Sequence, residues 1–149
     1  MTPNFDTMFD IKKYYMLIEN VIQSLGVDPQ LCKGEKEGQY NLQRGSAAVW
    51  VDVWQSEGQE YGYLQVMAPV LEIPPNNREA FYRELLDINH QLYGVAMTTY
   101  GSWVYAKSVR ELEGLDENEA RAILSRVGAC ADQYDDQLKA KYYAMDDRR

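Results

Sequence analysis

Residues 39–55 read QYNLQRGSAAVWVDVWQ, and the second half of this stretch decides the fold. Ala47, Val49, Val51 and Val53 alternate with Ala48, Trp50, Asp52 and Trp54. Successive side chains of a strand point to opposite faces. The alternation therefore predicts a strand with one aliphatic side and one side that carries tryptophan and an acid. The first half, QYNLQR, reads as a partner strand joined to it near Arg44, Gly45 and Ser46.

The same period continues outward. After the polar turn SEGQE, residues 61–70 place Gly62, Leu64, Val66 and Ala68 on one side and Tyr61, Tyr63, Gln65 and Met67 on the other. Pro69, Pro74 and Pro75 are expected to end this strand, because proline has no N–H for the ladder. Residues 95–100 and 102–109 form two further strands with a turn at Gly101. The second sets Val104, Ala106 and Ser108 against Trp103, Tyr105 and Lys107.

Three segments switch to helical spacing. Residues 7–25 carry Ile11, Tyr14, Tyr15, Ile18, Ile22 and Leu25 on one stripe, with Thr7 and Asp10 as a capping box and Gly26 as a left-handed terminator. A polar loop, DPQLCKGEKEG, follows it. A second helix starts at about Asn77, and its wheel groups Phe81, Leu85, Ile88 and Leu92 while His90 lies nearly opposite. The third is marked by Asp116 as N-cap, Glu119 three residues on, and Leu115 with Ala120 as a staple. Its stripe runs Ala120, Ile123, Leu124, Val127, Ala131, Tyr134, Leu138 and Tyr142, wide enough to cover a sheet. Gly128 beside the stripe permits close approach, at a cost of about 1 kcal/mol relative to alanine. The order helix, three strands, helix, two strands, helix, with short connections between strands, predicts an α+β domain around a largely antiparallel sheet.

Composition limits function. The 149 residues, 46% of them hydrophobic, suit a single domain with a core at about residues 7–143. A net charge of -8 argues against nucleic acid and anionic membranes as partners. No apolar run approaches the roughly 20 residues of a membrane helix, and MTPNFDTMFD has no secretory pattern, so the cytoplasm is the expected compartment. Cys32 and Cys130 stand apart and read as reduced thiols. No cofactor, metal site or catalytic set is expected: Asp132, Asp135 and Asp136 read as a solvated helix face, with Asp135 spaced to pair with Lys139. Residues 111–136 hold eight acids against Arg121 and Arg126, which favours solubility and would attract a basic partner.

The residues also carry a likeness. The stretch FYRELLDINHQL, followed by two short strands and LEGLDENEARAILSRVGACADQYDDQL, resembles the YbjN family, whose last helix carries an A-D-x-Y-D-x-x-L pattern. Here those positions are Ala131, Asp132, Tyr134, Asp135 and Leu138, and the resemblance spans about residues 40–138. It implies the fold of type III secretion chaperones, which often dimerise, and a family described as sensory transduction regulators or of unknown function. It brings no catalytic residues.

Two surfaces are the candidate sites. The first is the aromatic side of the sheet, Trp50, Trp54, Tyr63, Met67, Trp103 and Tyr105, whose mixture with Asp52, Gln65 and Lys107 suits an interface better than a dry core. Within a monomer it would need helix two or a terminal segment to cover it; otherwise it meets a second copy, a partner protein or a ligand. The second is the outer face of helix two, with Leu86 and His90. The expectation is a non-enzymatic binding or chaperone-like module acting as a homodimer. The alternative is a small enzyme or ligand-binding domain using His90 with Asp87 or another carboxylate.

Overall fold

The computed structural model describes residues 9–143. Along the chain come α1 (Ile11–Ser24), a 3-10 turn (Pro29–Leu31), β1 (Gln39–Arg44), β2 (Ala47–Gln55) and β3 (Gly62–Glu72). Then follow α2 (Arg78–Gln91), β4 (Ala96–Tyr100), β5 (Trp103–Glu111) and α3 (Glu117–Tyr142). The strands form one sheet in the order β1-β2-β3-β5-β4, antiparallel at every pairing. The α+β class and element order expected from the sequence are those observed.

The alternation in β2 does what its period requires. Ala47, Val49, Val51 and Val53 are buried, as are Leu64, Val66 and Ala68 of β3 and Val104 and Ala106 of β5. Their register places Val51 opposite Val66, Val53 opposite Leu64 and Ala68 opposite Ala106, so one continuous aliphatic surface spans the three central strands. α3 covers it with Ala120, Ile123, Leu124, Val127, Ala131 and Leu138. Gly128 lets that helix settle: a Cβ there would sit 2.7 Å from Cδ of Arg44 and 3.3 Å from Cγ2 of Val49. The Asp116 carboxylate accepts the Glu119 N–H at 2.7 Å, as its capping position predicts.

The structure corrects three expectations. Pro69 does not end its strand, since β3 continues to Glu72 through a register shift between Pro69 and Leu71. Pairing of β2 with β3 stops at Trp50 opposite Met67, so beyond it the β2-facing side of β3 has no ladder bond for a proline to lose. In α1 the cap is Asp10 itself, accepting from the Lys12 N–H at 3.1 Å; Thr7 lies outside the described residues. That helix buries Tyr14, Ile18, Val21 and Ile22, leaving Ile11 and Tyr15 half-buried and Leu25 exposed. Its end is as expected: Gly26 at φ +85° turns the chain so that the N–H groups of Gly26 and Val27 reach the carbonyls of Gln23 and Ile22.

α2 packs at the β4 edge and against the end of α3. Phe81 and Leu85 are buried, and Phe81 meets Tyr142 edge to face at 5.0 Å between ring centroids. The Tyr142 hydroxyl donates to Glu84 at 2.7 Å, and Lys141 pairs with the same carboxylate at 2.8 Å. Asn89 supplies the attachment to the sheet. Its amide donates to the Met97 carbonyl at 3.1 Å and its carbonyl accepts the Met97 N–H at 2.6 Å, as a neighbouring strand would. Asn89→Ala leaves both groups of the buried Met97 backbone without these partners and should lower stability by about 1–3 kcal/mol. The check is the urea midpoint; an unchanged midpoint would show that α2 is held by packing alone.

Candidate functional site

One face of the sheet carries the helices. On the other, no described helix lies across the strands, and Trp50 and Trp103 each remain 37% exposed. The six aromatic and methionine residues expected to share a face do so, and register orders them in rows. Asn41, Trp50, Met67, Lys107 and Ala96 follow one another across all five strands. Gln39, Asp52, Gln65 and Val109 form the next row, and Trp54, Tyr63 and Glu111 the one after. Trp54 stacks on Tyr63 at 5.3 Å, and Tyr61 meets Tyr63 edge-on at 5.9 Å. Trp50 leans across β3 to reach Tyr105 at 6.0 Å. The face is thus two aromatic clusters with a polar band of Gln39, Asp52 and Gln65 between them. Trp103 stands further along, opposite Tyr100 in the β4–β5 hairpin.

A hollow of about 520 Å³ opens at the Trp54 end of the face, where Ile11 and Tyr15 of α1 and the loop at Lys36 and Glu37 rise beside Asp52, Trp54 and Gln65. Ile11 and Tyr15 belong on the buried stripe by spacing alone. The adjacent Tyr14 and Tyr15 in fact divide the labour, Tyr14 entering the core and Tyr15 walling this hollow. Burial raises the Asp52 carboxyl above its usual value, partly offset by a hydrogen bond from Gln39 and the charge of Lys36. Burial, with Glu37 and Asp52 nearby, likewise raises the Tyr15 hydroxyl.

Leu86 and His90 occupy a separate surface, the outward side of α2, where Leu86 is 65% exposed. The arrangement needed for acid–base work is not assembled there. Asp87 faces Arg83 at 3.7 Å, and among the described residues His90 makes no hydrogen bond or ion pair. Asp135 pairs with Lys139 at 2.7 Å, and Asp132 accepts from Ser46 at 2.7 Å, tying the β1–β2 turn to α3. Burial pushes both thiols up, that of Cys130 to about 11, far from a reactive thiolate at neutral pH. Among the described residues no group of His, Cys, Asp and Glu is placed to hold a metal ion, and no helix is long and apolar enough to cross a membrane.

Among the described residues the sheet is thus backed by helices on one side and presents aromatic and polar side chains with no helix across them on the other, a composition common in binding surfaces. The chain belongs to the family TY-Chap1, described as "T3SS (YopN, CesT) and YbjN peptide-binding chaperone 1", which matches residues 14–143. This agrees with the likeness to YbjN carried by the helix motifs. Among solved structures, a chain of the ExsC–ExsE complex is similar at a TM-score of 0.65 and 15% identity, covering 86% of this chain and 95% of that one. A chain of the HopA1–SchA chaperone–effector complex is similar at 0.61 and 12% identity, covering 86% and 98%. At these identities the likeness is one of fold. No curated protein matches the sequence significantly.

The raised Asp52 carboxyl gives a pH test of this face. A folded-state value above the unfolded one means that ionisation opposes folding, so the penalty appears as pH rises through the carboxylate range. Asp52→Asn should therefore raise the thermal midpoint at pH 7. The advantage should vanish in acid, where both side chains are neutral. A midpoint lowered at pH 7 would contradict the burial of Asp52.

Proposed function

We propose that this protein is a non-enzymatic, chaperone-like module that binds an extended segment of a partner protein on the open face of its sheet. The observation that carries this is the aromatic face on which Trp50 and Trp103 are exposed and Trp54, Tyr63, Met67 and Tyr105 half-buried, interrupted by a polar band. Tryptophan and tyrosine bury much area with little loss of side-chain freedom and dominate binding hot spots. The polar band meets the backbone or polar side chains of a segment whose apolar groups settle to either side. Membership of a family described as peptide-binding chaperones supports the reading, as does the likeness in fold to a chain from a chaperone–effector complex. Peptides selected from a random display library on the wild-type protein should bind Trp50→Ala/Trp103→Ala at least about tenfold more weakly. The far-UV circular dichroism should be unchanged. Selection that enriches nothing, or peptides indifferent to the double substitution, would reject this surface.

The same proposal includes self-association through the outer side of α2. Tyr82 and Leu86 are exposed on that helix, as is His90, forming a patch separate from the sheet face. A homodimer joined in this way leaves the sheets of both copies free. Sedimentation equilibrium should give twice the chain mass for the wild type and the single mass for Leu86→Glu. A wild-type monomer, or a dimer untouched by Leu86→Glu, would remove α2 from the assembly.

A further inference from the structure

The helical layer has a gap on the side away from the proposed peptide surface. Between the end of α1, the edge strand β1 and the first half of α3 lies a cleft of about 380 Å³. Its floor and walls are apolar: Leu25 and Val27 from the turn after α1, Leu42 and Val49 from β1 and β2, and Leu124 from α3. Leu25 and Val27 are exposed although they adjoin the core. The volume falls within the range of about 300–1,000 Å³ typical of small-molecule sites.

The charge at this cleft has the opposite sign to that of the protein. The chain carries -8 overall, yet the two ionised side chains lining the cleft are Arg44 and Arg121. Neither arginine meets a carboxylate among the described ion pairs; both are fixed by neutral groups. Arg44 donates to the carbonyl oxygen of Ser125 at 3.0 Å and to its hydroxyl, with its stem crossing Gly128. Arg121 donates to the Ser24 hydroxyl from Nε at 3.2 Å and from Nη2 at 3.1 Å, and to the side-chain Oδ1 of Asn118 from Nη1 at 3.0 Å. Asp132, the acid near the Gly45 turn, is engaged by Ser46. Two guanidinium groups, neither in an ion pair among the described residues, are therefore held in place at an opening into aliphatic side chains. Guanidinium is always ionised and its planar fork matches a carboxylate.

We infer that this cleft is a binding site for a small carboxylate with an apolar tail, of the free fatty-acid class. The tail fills the cleft over Leu42, Val49 and Leu124, and the carboxylate meets Arg44 and Arg121 at the mouth. The site is independent of the sheet's open face, so either can fail without the other.

The test is a titration of the full-length protein with octanoate, followed through backbone amide resonances. Saturable shifts are expected at Leu25, Val27, Leu42 and Leu124, with octanol and octylamine at least about tenfold weaker because they lack the charge-assisted contacts. Arg44→Gln/Arg121→Gln should lose at least about tenfold in octanoate affinity while keeping the wild-type spectrum elsewhere, which separates loss of the site from loss of the fold. Absence of shifts at these residues overturns the inference. So do octanol binding as tightly as octanoate, shifts confined to Trp50 and Trp103, and affinity indifferent to the two arginines.

Discussion

Everything in this protein depends on the close seating of α3 across β2, β3 and β5. Val49, Val51, Val66 and Val104 form a smooth aliphatic floor, and Val127, Gly128 and Ala131 bring the helix backbone down to it. At Gly128 there is no room for even a methyl group without displacing the Arg44 stem or a Val49 methyl. Each buried valine or leucine contributes on the order of 1.5–3 kcal/mol, and that gain needs contact without voids. Once α3 lies here, α1 fills the space beside it over β2, and α2 is confined to the end of α3 and the β4 edge.

That seating determines what remains exposed. A five-stranded sheet has two faces, and the described helices pack on the aliphatic one. The other face has no described helix across it, and its side chains contact one another sideways: Trp54 on Tyr63, Trp50 on Tyr105. Asp52 is half-buried among them, tolerated because Gln39 reaches it and Lys36 is near. A surface ordered in advance by ring contacts loses less side-chain freedom when a partner arrives. The cleft between the end of α1, β1 and α3 lies on the helix-bearing face, where Leu42 is left only half covered.

Much of this was legible in the residues, for reasons tied to period. The valine–tryptophan alternation of β2 assigned faces correctly, and the caps at Asp116 and Gly26 mark helix ends because both satisfy backbone groups locally. The motifs of the last two helices pointed to the family whose model matches residues 14–143. Pro69 misled, because the rule against proline in a strand depends on whether the neighbouring strand is paired there, and sequence does not show where pairing stops. Helical spacing does not single out Asn89. Its partner is a backbone eight residues away, and a side-chain amide that completes a strand edge has no periodic signature.

The sequence alone determined the class of fold, the two faces of the central strands and the chemical character of each, since side-chain direction in a strand follows from covalent geometry. It also brought Leu86 and His90 to one side of α2, since helical spacing is equally local. Only the tertiary structure decided that the aromatic face stays uncovered by described helices, that Asp87 is taken by Arg83 and not by His90, and that two arginines 77 positions apart line one apolar cleft. Those outcomes depend on how far each helix travels over the sheet before it meets another, a distance set by the whole set of contacts and carried by no single segment.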